Sequence, residues 1–246
     1  MRRDVVELWS PELGWSPRVI VHGHYGRPVL VFPSSEGRAE DFESNGMVEA
    51  VRPLLDAGRV KLYCLDSWDS GSWYRHDLEL EDRARLHEAY ERWVIQGAVP
   101  LVDADCGGRQ EMIATGCSFG AYHAVNIALR HADLFPLALG LSGVYDLSGM
   151  GWGQRGDAFY FNNPMDSVAG LDGDHLDWLR SRLSLLLVAG QGMWEDTTGA
   201  LDSTRTFGGL CASKGLRVEC DIWGHDVMHD WPAWRAQLAH HLPRFV

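Results

Sequence analysis

The five cysteines, Cys64, Cys106, Cys117, Cys211 and Cys220, are odd in number and widely scattered, and no two form a CxxC pair. That spacing argues against a disulfide framework and a zinc ribbon, and leaves the thiols to be reduced and buried. Basic residues are scarce, 22 Lys and Arg against 34 Asp and Glu, for a formal net charge of -12. No run of them stands out. A protein that tracks a phosphate backbone clusters its cations, so no nucleic-acid partner is expected. No segment approaches the apolar span of a membrane helix, and the opening MRRDVVELWSPELG is not followed by an apolar stretch of signal-peptide length. The expectation is a soluble, cytoplasmic protein with no membrane partner. Internal repeats and low-complexity linkers are missing as well.

What remains is a chain of 246 residues, 46% of them hydrophobic, long enough to bury a sizeable core as one domain spanning residues 1–246. Val5–Leu8, Arg18–His22 and Val29–Phe32 read as short strands that form an antiparallel entry to a sheet. Val60–Leu65 is a further strand, followed by an aromatic, polar loop over Asp66–Tyr74 and a charged helix over roughly Leu78–Gln96. Strand and helix then alternate: Arg109–Thr115 with Phe119–His131, Leu137–Leu141 with an irregular stretch, Leu183–Ala189 with Ala200–Gly215, and Leu216–Ile222 with Pro232–Leu242. Alternation of this kind means βαβ units, hence an α/β fold: a mostly parallel central sheet with antiparallel N-terminal strands and helices on both faces. The Gly-, Asn- and Asp-rich stretch around 145–173 reads as an irregular, lid-like insertion.

Between the strand and the helix near residue 118 stands Gly116-Cys117-Ser118-Phe119-Gly120, a G-x-S-x-G nucleophile elbow in its required context. Glycines two before and two after the serine let strand and helix approach while the turn lifts the hydroxyl clear. The serine also falls at a helix N-terminus, where free N–H groups favour developing negative charge, so Phe119 N–H is a candidate oxyanion donor.

A serine hydroxyl is a weak nucleophile without a base and a carboxylate, which follow such an elbow in the order Ser, acid, His. Gly190-Gln-Gly-Met-Trp-Glu195-Asp196 follows the strand at 183–189, and Trp223-Gly-His225-Asp-Val-Met-His229-Asp-Trp231 follows the strand at 216–222. His229 is the preferred base because it precedes Trp231-Pro232, a helix-start signal; His225 is left to support the loop or line the pocket. Glu195 and Asp196 compete for the acid, with Glu195 preferred as nearer the strand and Asp196 suited to capping Thr197-Thr198.

The segments GCSFGAYHA, GQGMWED and GHDVMHDWPAWR resemble the putative-esterase family of α/β hydrolases, the group that includes esterase D, feruloyl esterases and siderophore esterases. HDWPAWR is the most specific part, because in that family the catalytic histidine opens an HDW-like segment followed by a W-R pair. The resemblance runs from about Val29 to Leu242. It implies a triad of Ser118, Glu195 or Asp196, and His229, and a serine esterase that transfers an acyl group without metal or cofactor. The family's His-Gly start to the first oxyanion loop is absent; Val31-Phe32 leads into Pro33-Ser34-Ser35-Glu36-Gly37, so the second oxyanion donor is assigned to Ser34 or Ser35.

Of 11 tryptophans, Trp68, Trp73, Trp152, Trp194, Trp231 and Trp234 fall in or beside loops at the carboxyl ends of strands, where α/β ligands bind. They are candidates for lining a site for a small-molecule ester. Three other readings compete. A metalloenzyme could use His225-x-x-x-His229, but ligands four apart need a helix that Gly224 and Pro232 leave no room for. A catalytically silent scaffold could keep the elbow, and an acyltransferase would use the same residues. The sequence leaves a homo-oligomer open.

Overall fold

Eight segments rich in Val, Ile and Leu pair into one sheet in the computed structural model, which describes residues 2–246. They are β1 (Arg3–Glu7), β2 (Arg18–His22), β3 (Arg27–Phe32), β4 (Val60–Leu65), β5 (Ile113–Cys117), β6 (Leu137–Leu141), β7 (Ser184–Ala189) and β8 (Arg217–Ile222). Their spatial order is β1-β2-β4-β3-β5-β6-β7-β8. β2 runs antiparallel to both β1 and β4, and every later pairing is parallel. Strands β4, β5 and β6 are buried along their whole length, the reason they read as unbroken apolar runs. Both edges carry charge instead, Arg3, Asp4 and Glu7 on β1, Arg217, Glu219 and Asp221 on β8, which deters pairing with another chain.

Alternate residues on each strand face opposite cores. Val29, Val31, Leu62 and Leu139 pack with Phe42, Met47, Leu55, Trp234 and Leu238, which come from α1 (Asp41–Ser44), α2 (Met47–Ala50), α3 (Arg52–Asp56) and, at the end of the chain, a helix over Trp231–His241. Leu30, Phe32, Tyr63, Ala114 and Leu187 face the other core, covered by α4 (Leu80–Trp93), α5 (Val99–Cys106) and α6 (Phe119–Arg130), while α7 (Asp157–Asn162) packs with α4 and α6 in a third cluster around Trp73 and Phe159; α8 (Pro164–Ala169), α9 (Gly173–Arg182) and α10 (Ala200–Ser213) complete the cover of the second core, and the last helix is α11. Among the described residues no helix is long and apolar enough to cross a membrane.

Three sequence expectations are corrected. The helix expected to stop near Gln96 continues through a π-helical turn over Val94–Ala98 into α5; Pro100 lacks an N–H, and the widened turn accommodates the missing bond. The stretch around 145–173 is not irregular: it holds α7 and α8, and its polar residues are what order it. Asn162 and Asn163 are fully buried. Asn163 Oδ1 accepts from Leu147 N–H at 2.9 Å while its Nδ2 donates to Asp146 and Asp166, and Asn126 donates to Asn162 Oδ1 at 3.0 Å. Third, all five thiols are free, yet only Cys64, Cys117 and Cys211 are buried; Cys106 is half-buried and Cys220 is exposed on the edge strand.

At the start of α4, the Glu81 carboxylate reaches across to α7 and accepts the N–H groups of Gly156 at 2.8 Å, Phe159 at 3.0 Å and Ala158 at 3.3 Å. Burial pushes its pKa up, but the three N–H bonds and Arg85 outweigh that and hold the carboxyl below its ordinary value. A depressed carboxyl stabilises the fold above its unfolded pKa and loses that contribution as pH falls through the folded value. Glu81→Ala is expected to cost about 2 kcal/mol at pH 7 in urea denaturation. The gap to wild type should narrow as pH drops below 4.5, the unshifted value.

The elbow glycines answer to the same packing. A Cβ on Gly120 would lie 2.3 Å from the carbonyl oxygen of Pro33 and 2.4 Å from that of Phe32, and one on Gly116 would lie 2.4 Å from the backbone of Gly120. On α10, by contrast, a Cβ on Gly209 meets nothing within 4 Å. Gly120→Ala is therefore expected to destabilise by about 1–3 kcal/mol, and Gly209→Ala to stabilise by up to about 1 kcal/mol; thermal melts of the two variants check the opposite signs.

Candidate active site

Parallel strands present their carboxyl ends, and the loops that follow them, along one rim of the sheet, and three such loops converge here. Ser118 ends β5 and begins α6, with φ 55 and ψ -121, a left-handed conformation rare for a residue with a side chain. It is held by its N–H to Leu141 O at 2.8 Å. Glu195 follows β7. His229 follows β8 and directly precedes Asp230, whose side chain accepts from Trp231 N–H and caps α11.

The structure brings these three side chains into one line. His229 Nε2 lies 3.0 Å from Ser118 Oγ, and His229 Nδ1 lies 3.3 Å from Glu195 Oε2. Glu195 is fully buried. Its second oxygen accepts from Ser142 Oγ at 2.6 Å and from Gly190 N–H at 3.0 Å, and Ser142 Oγ in turn accepts from Trp234 Nε1 at 3.0 Å. Trp234 also packs edge-on against the His229 ring, centroids 5.0 Å apart. Neither Ser142 nor the contact of Trp234 is legible in the sequence; a serine just past β6 carries no motif, and only the fold brings it to Glu195.

Backbone bonds join the acid loop to the histidine loop: Gly192 N–H to Val227 O at 2.8 Å, Gln191 N–H to Gly224 O at 3.1 Å and His229 N–H to Met193 O at 3.0 Å. A Cβ on Gly190 would lie 2.1 Å from Val227 O, so the GQG segment is what lets the two loops approach so closely.

Asp196 does not reach the imidazole. It is exposed and accepts from the N–H of Thr197 at 2.8 Å. The two acidic neighbours diverge because Trp194, at φ 69, turns the loop so that Glu195 points inward. His225 is exposed on a turn, and residues 223–230 are not helical. Among the described residues no group of three His, Cys, Asp or Glu side chains could hold a metal ion. Burial pushes the neighbouring Cys117 thiol well above its ordinary pKa, which keeps it a protonated core residue.

On the other side of Ser118, the loop Pro33-Ser34-Ser35-Glu36-Gly37 lies against the elbow, the Phe32 and Pro33 carbonyls being those that Gly120 must clear. Two of its N–H groups are already bonded, Glu36 to Asp69 Oδ2 outside the loop at 2.8 Å and Gly37 to Ser34 O within it at 2.9 Å. Pro33 has none. The N–H groups of Ser34 and Ser35, and that of Phe119 at the first residue of α6, have no acceptor among the described residues. Ser34 Oγ is 3.4 Å from Asp41, whose carboxyl is raised by burial. Ser35 Oγ accepts from Tyr74 OH at 3.0 Å; burial pushes this phenol up, so it stays a donor. Tyr74 meets the Phe119 ring edge-on at 5.6 Å, an aromatic beside the elbow that no motif in the sequence marks.

The tryptophans separate. Trp73 is fully buried among Leu80, Tyr122 and Phe159; its ring is core. Trp68 stacks on Trp15 at 5.8 Å, and with Glu36, Arg38, Ser67 and Ser70 these two line a cleft of about 130 Å³ beside the 33–37 loop. Trp231 is half-buried and edge-on to Trp234. Trp194 on the acid loop and Trp152 in the segment before α7 are exposed.

Residues 31–245 match the family model described as "Putative esterase". No curated protein matches the sequence. Among solved structures, a ferulic acid esterase superposes with a TM-score of 0.74 at 16% identity, over 99% of this chain and 97% of that one. An S-formylglutathione hydrolase from Agrobacterium tumefaciens gives 0.73 at 14% identity over 98% and 93%. The enterobactin esterase from Shigella flexneri gives 0.63 at 18% over 100% of this chain and 61% of that one. At such identities these likenesses are of fold, whereas the family match spans most of the sequence: the chain belongs to the "Putative esterase" family and is a carboxylic ester hydrolase.

Proposed function

We propose that this protein hydrolyses its ester through an acyl-enzyme intermediate on Ser118, with His229 as base and Glu195 as the acid of the triad. The observation that carries the reading is the unbroken chain Ser118 Oγ to His229 Nε2 at 3.0 Å and His229 Nδ1 to Glu195 Oε2 at 3.3 Å. In the first half-reaction His229 takes the Ser118 proton as Oγ attacks the ester carbonyl carbon. The resulting tetrahedral oxyanion sits against Phe119 N–H and the N–H of Ser34 or Ser35, the donors left over once the bonds of Glu36 and Gly37 N–H are counted. Imidazolium then gives its proton to the departing alcohol as the C–O bond breaks. Water repeats the sequence on the acyl-enzyme, losing a proton to His229 and releasing the carboxylic acid and free Ser118. Buried Glu195 keeps the imidazole in the tautomer with a proton on Nδ1 and stabilises the imidazolium.

Tyr74, Trp68 and Trp194 are the aromatic residues best placed to border the ester, Tyr74 through its bond to Ser35, Trp68 in the cleft beside Glu36, Trp194 as the neighbour of Glu195.

A fluorophosphonate probe is expected to label the wild type and to label neither Ser118→Ala nor His229→Ala; an unlabelled wild type would leave a silent scaffold as the better reading. Turnover of p-nitrophenyl acetate should fall by about 10⁴-fold in Glu195→Gln and stay within about threefold in Asp196→Asn, whose side chain bonds only its own loop. Equal, mild losses in both would place the acid elsewhere. Raising the concentration of an added alcohol or amine and following product distribution separates hydrolysis from acyl transfer.

A further inference from the structure

One buried pair near Ser118 is unused by the steps above. Asp69, in the turn after β4, and His123, on α6 five residues beyond Ser118, are 1% and 2% exposed. They meet at 2.8 Å, His123 Nε2 to Asp69 Oδ1. An ionised carboxylate only accepts, so the proton of this bond belongs to Nε2. The imidazole is wedged between rings, 5.9 Å from Phe32, 5.0 Å from Phe119 and 5.0 Å from Tyr122, which restricts its movement. The second Asp69 oxygen accepts the N–H of Glu36 at 2.8 Å. Glu36 itself has φ 54, a backbone conformation sparsely populated by residues with side chains that persists where surroundings impose it.

We propose that Asp69 and His123 are positioning residues that set the oxyanion hole: His123 orients the Asp69 carboxylate, which captures Glu36 N–H, holds the left-handed turn, and leaves the Ser34 and Ser35 N–H groups facing Ser118. One half of that hole, Phe119 N–H, starts the helix that carries His123. The other half is in the loop that Asp69 grips. A single buried bridge therefore fixes the separation of the two sets of donors, a distance on which stabilisation of the developing oxyanion depends steeply. A buried hydrogen-bonded pair adds little stability over apolar side chains of the same shape; what this one supplies is an acceptor aimed at a chosen N–H. The inference rests on Ser118 being the nucleophile.

The test compares Asp69→Asn, Asp69→Ala, His123→Phe and Ser118→Ala with wild type in three measurements: kcat and KM for p-nitrophenyl acetate, inhibition by an alkyl trifluoromethyl ketone, and the thermal midpoint. The ketone forms a hemiketal oxyanion on the attacking serine and so reports the hole, whereas KM for the neutral ester does not. Asp69→Asn keeps an oxygen for Glu36 N–H and is expected within about threefold of wild type in kcat. Asp69→Ala and His123→Phe are expected to lose about 10–100-fold in kcat, less than outright loss of a donor, with KM within about twofold and ketone affinity falling by the same factor as kcat. A purely structural pair would lower the melting midpoint and leave kcat and ketone affinity of the folded variants within threefold of wild type; that result overturns the inference, as does an Asn variant as impaired as the Ala variant. Should Asp69→Ala fail to fold, the contrast between His123→Phe and Asp69→Asn decides by the same criteria. Ser118→Ala separates the two levels: activity retained there removes the nucleophile assignment and this inference with it, while activity lost there and preserved in the Asp69 and His123 variants removes this inference alone.

Discussion

A carboxylate with no exposure to water has to have its oxygens bonded by the protein, because an uncompensated buried charge costs several kcal/mol. Glu195 meets that demand with groups from four segments of the chain: Gly190 at the end of β7, Ser142 at the end of β6, His229 ahead of α11, and, through Ser142, Trp234 within α11. Satisfying one side chain therefore locks the carboxyl ends of two strands, the histidine loop and the last helix into a single arrangement. The Gly190 approach to Val227 and the bond between His229 N–H and Met193 O are the backbone expression of the same constraint. The placement of His229 against Ser118 follows from it.

Comparable polar anchors recur around the rim. Asp66, fully buried, accepts the N–H groups of Arg18 and Ala39 and pairs with the Arg18 guanidinium. Glu81 holds the start of α7, Asn163 holds Leu147, and Asp69 holds Glu36. Each is a buried side chain on one element accepting backbone N–H groups, at the start of a strand or helix or in a loop, that the ladders and helix turns do not use. Loops are ordinarily where a fold loosens; here buried acceptors pin them, as the roles proposed for Ser118 and His229 would require. Arg83, itself buried, does the converse, donating to the carbonyls of Trp73, Leu78 and Met150 and drawing the loop after β4 toward the segment before α7.

Much of this was legible in the sequence wherever local pattern and global environment agree. Strands buried on both faces must be apolar throughout, and Val60–Leu65 and Leu137–Leu141 are read with their observed bounds. Helices with capping or proline signals, such as the one after Asp230, are read within a residue. The elbow is legible because its glycines are demanded by contacts between sequence neighbours and the end of β3. Legibility fails where a long-range contact does the work: α7 and α8 look like loop because their asparagines are polar, and those asparagines are buried only because α6 and the backbone of Leu147 meet them. The exposure of Cys220 and the burial of Trp73 differ from the sequence expectation for the same reason, edge exposure and interior burial being properties of the assembled fold.

The order of Ser118, an acidic pair and His229 along the chain, each after a strand, was determined by sequence alone, since the spacing of βαβ units is a one-dimensional property. Which of Glu195 and Asp196 turns inward was not, because adjacent residues on a loop differ only in direction, and direction here depends on the left-handed Trp194 and on Ser142 and Gly190 waiting to bond a carboxylate. The same division holds on the other side of the hydroxyl. The sequence names Ser34 and Ser35 as the residues beside the elbow; only the tertiary structure, by assigning Glu36 N–H to Asp69 and Gly37 N–H to Ser34, decides which donors of that loop are left free.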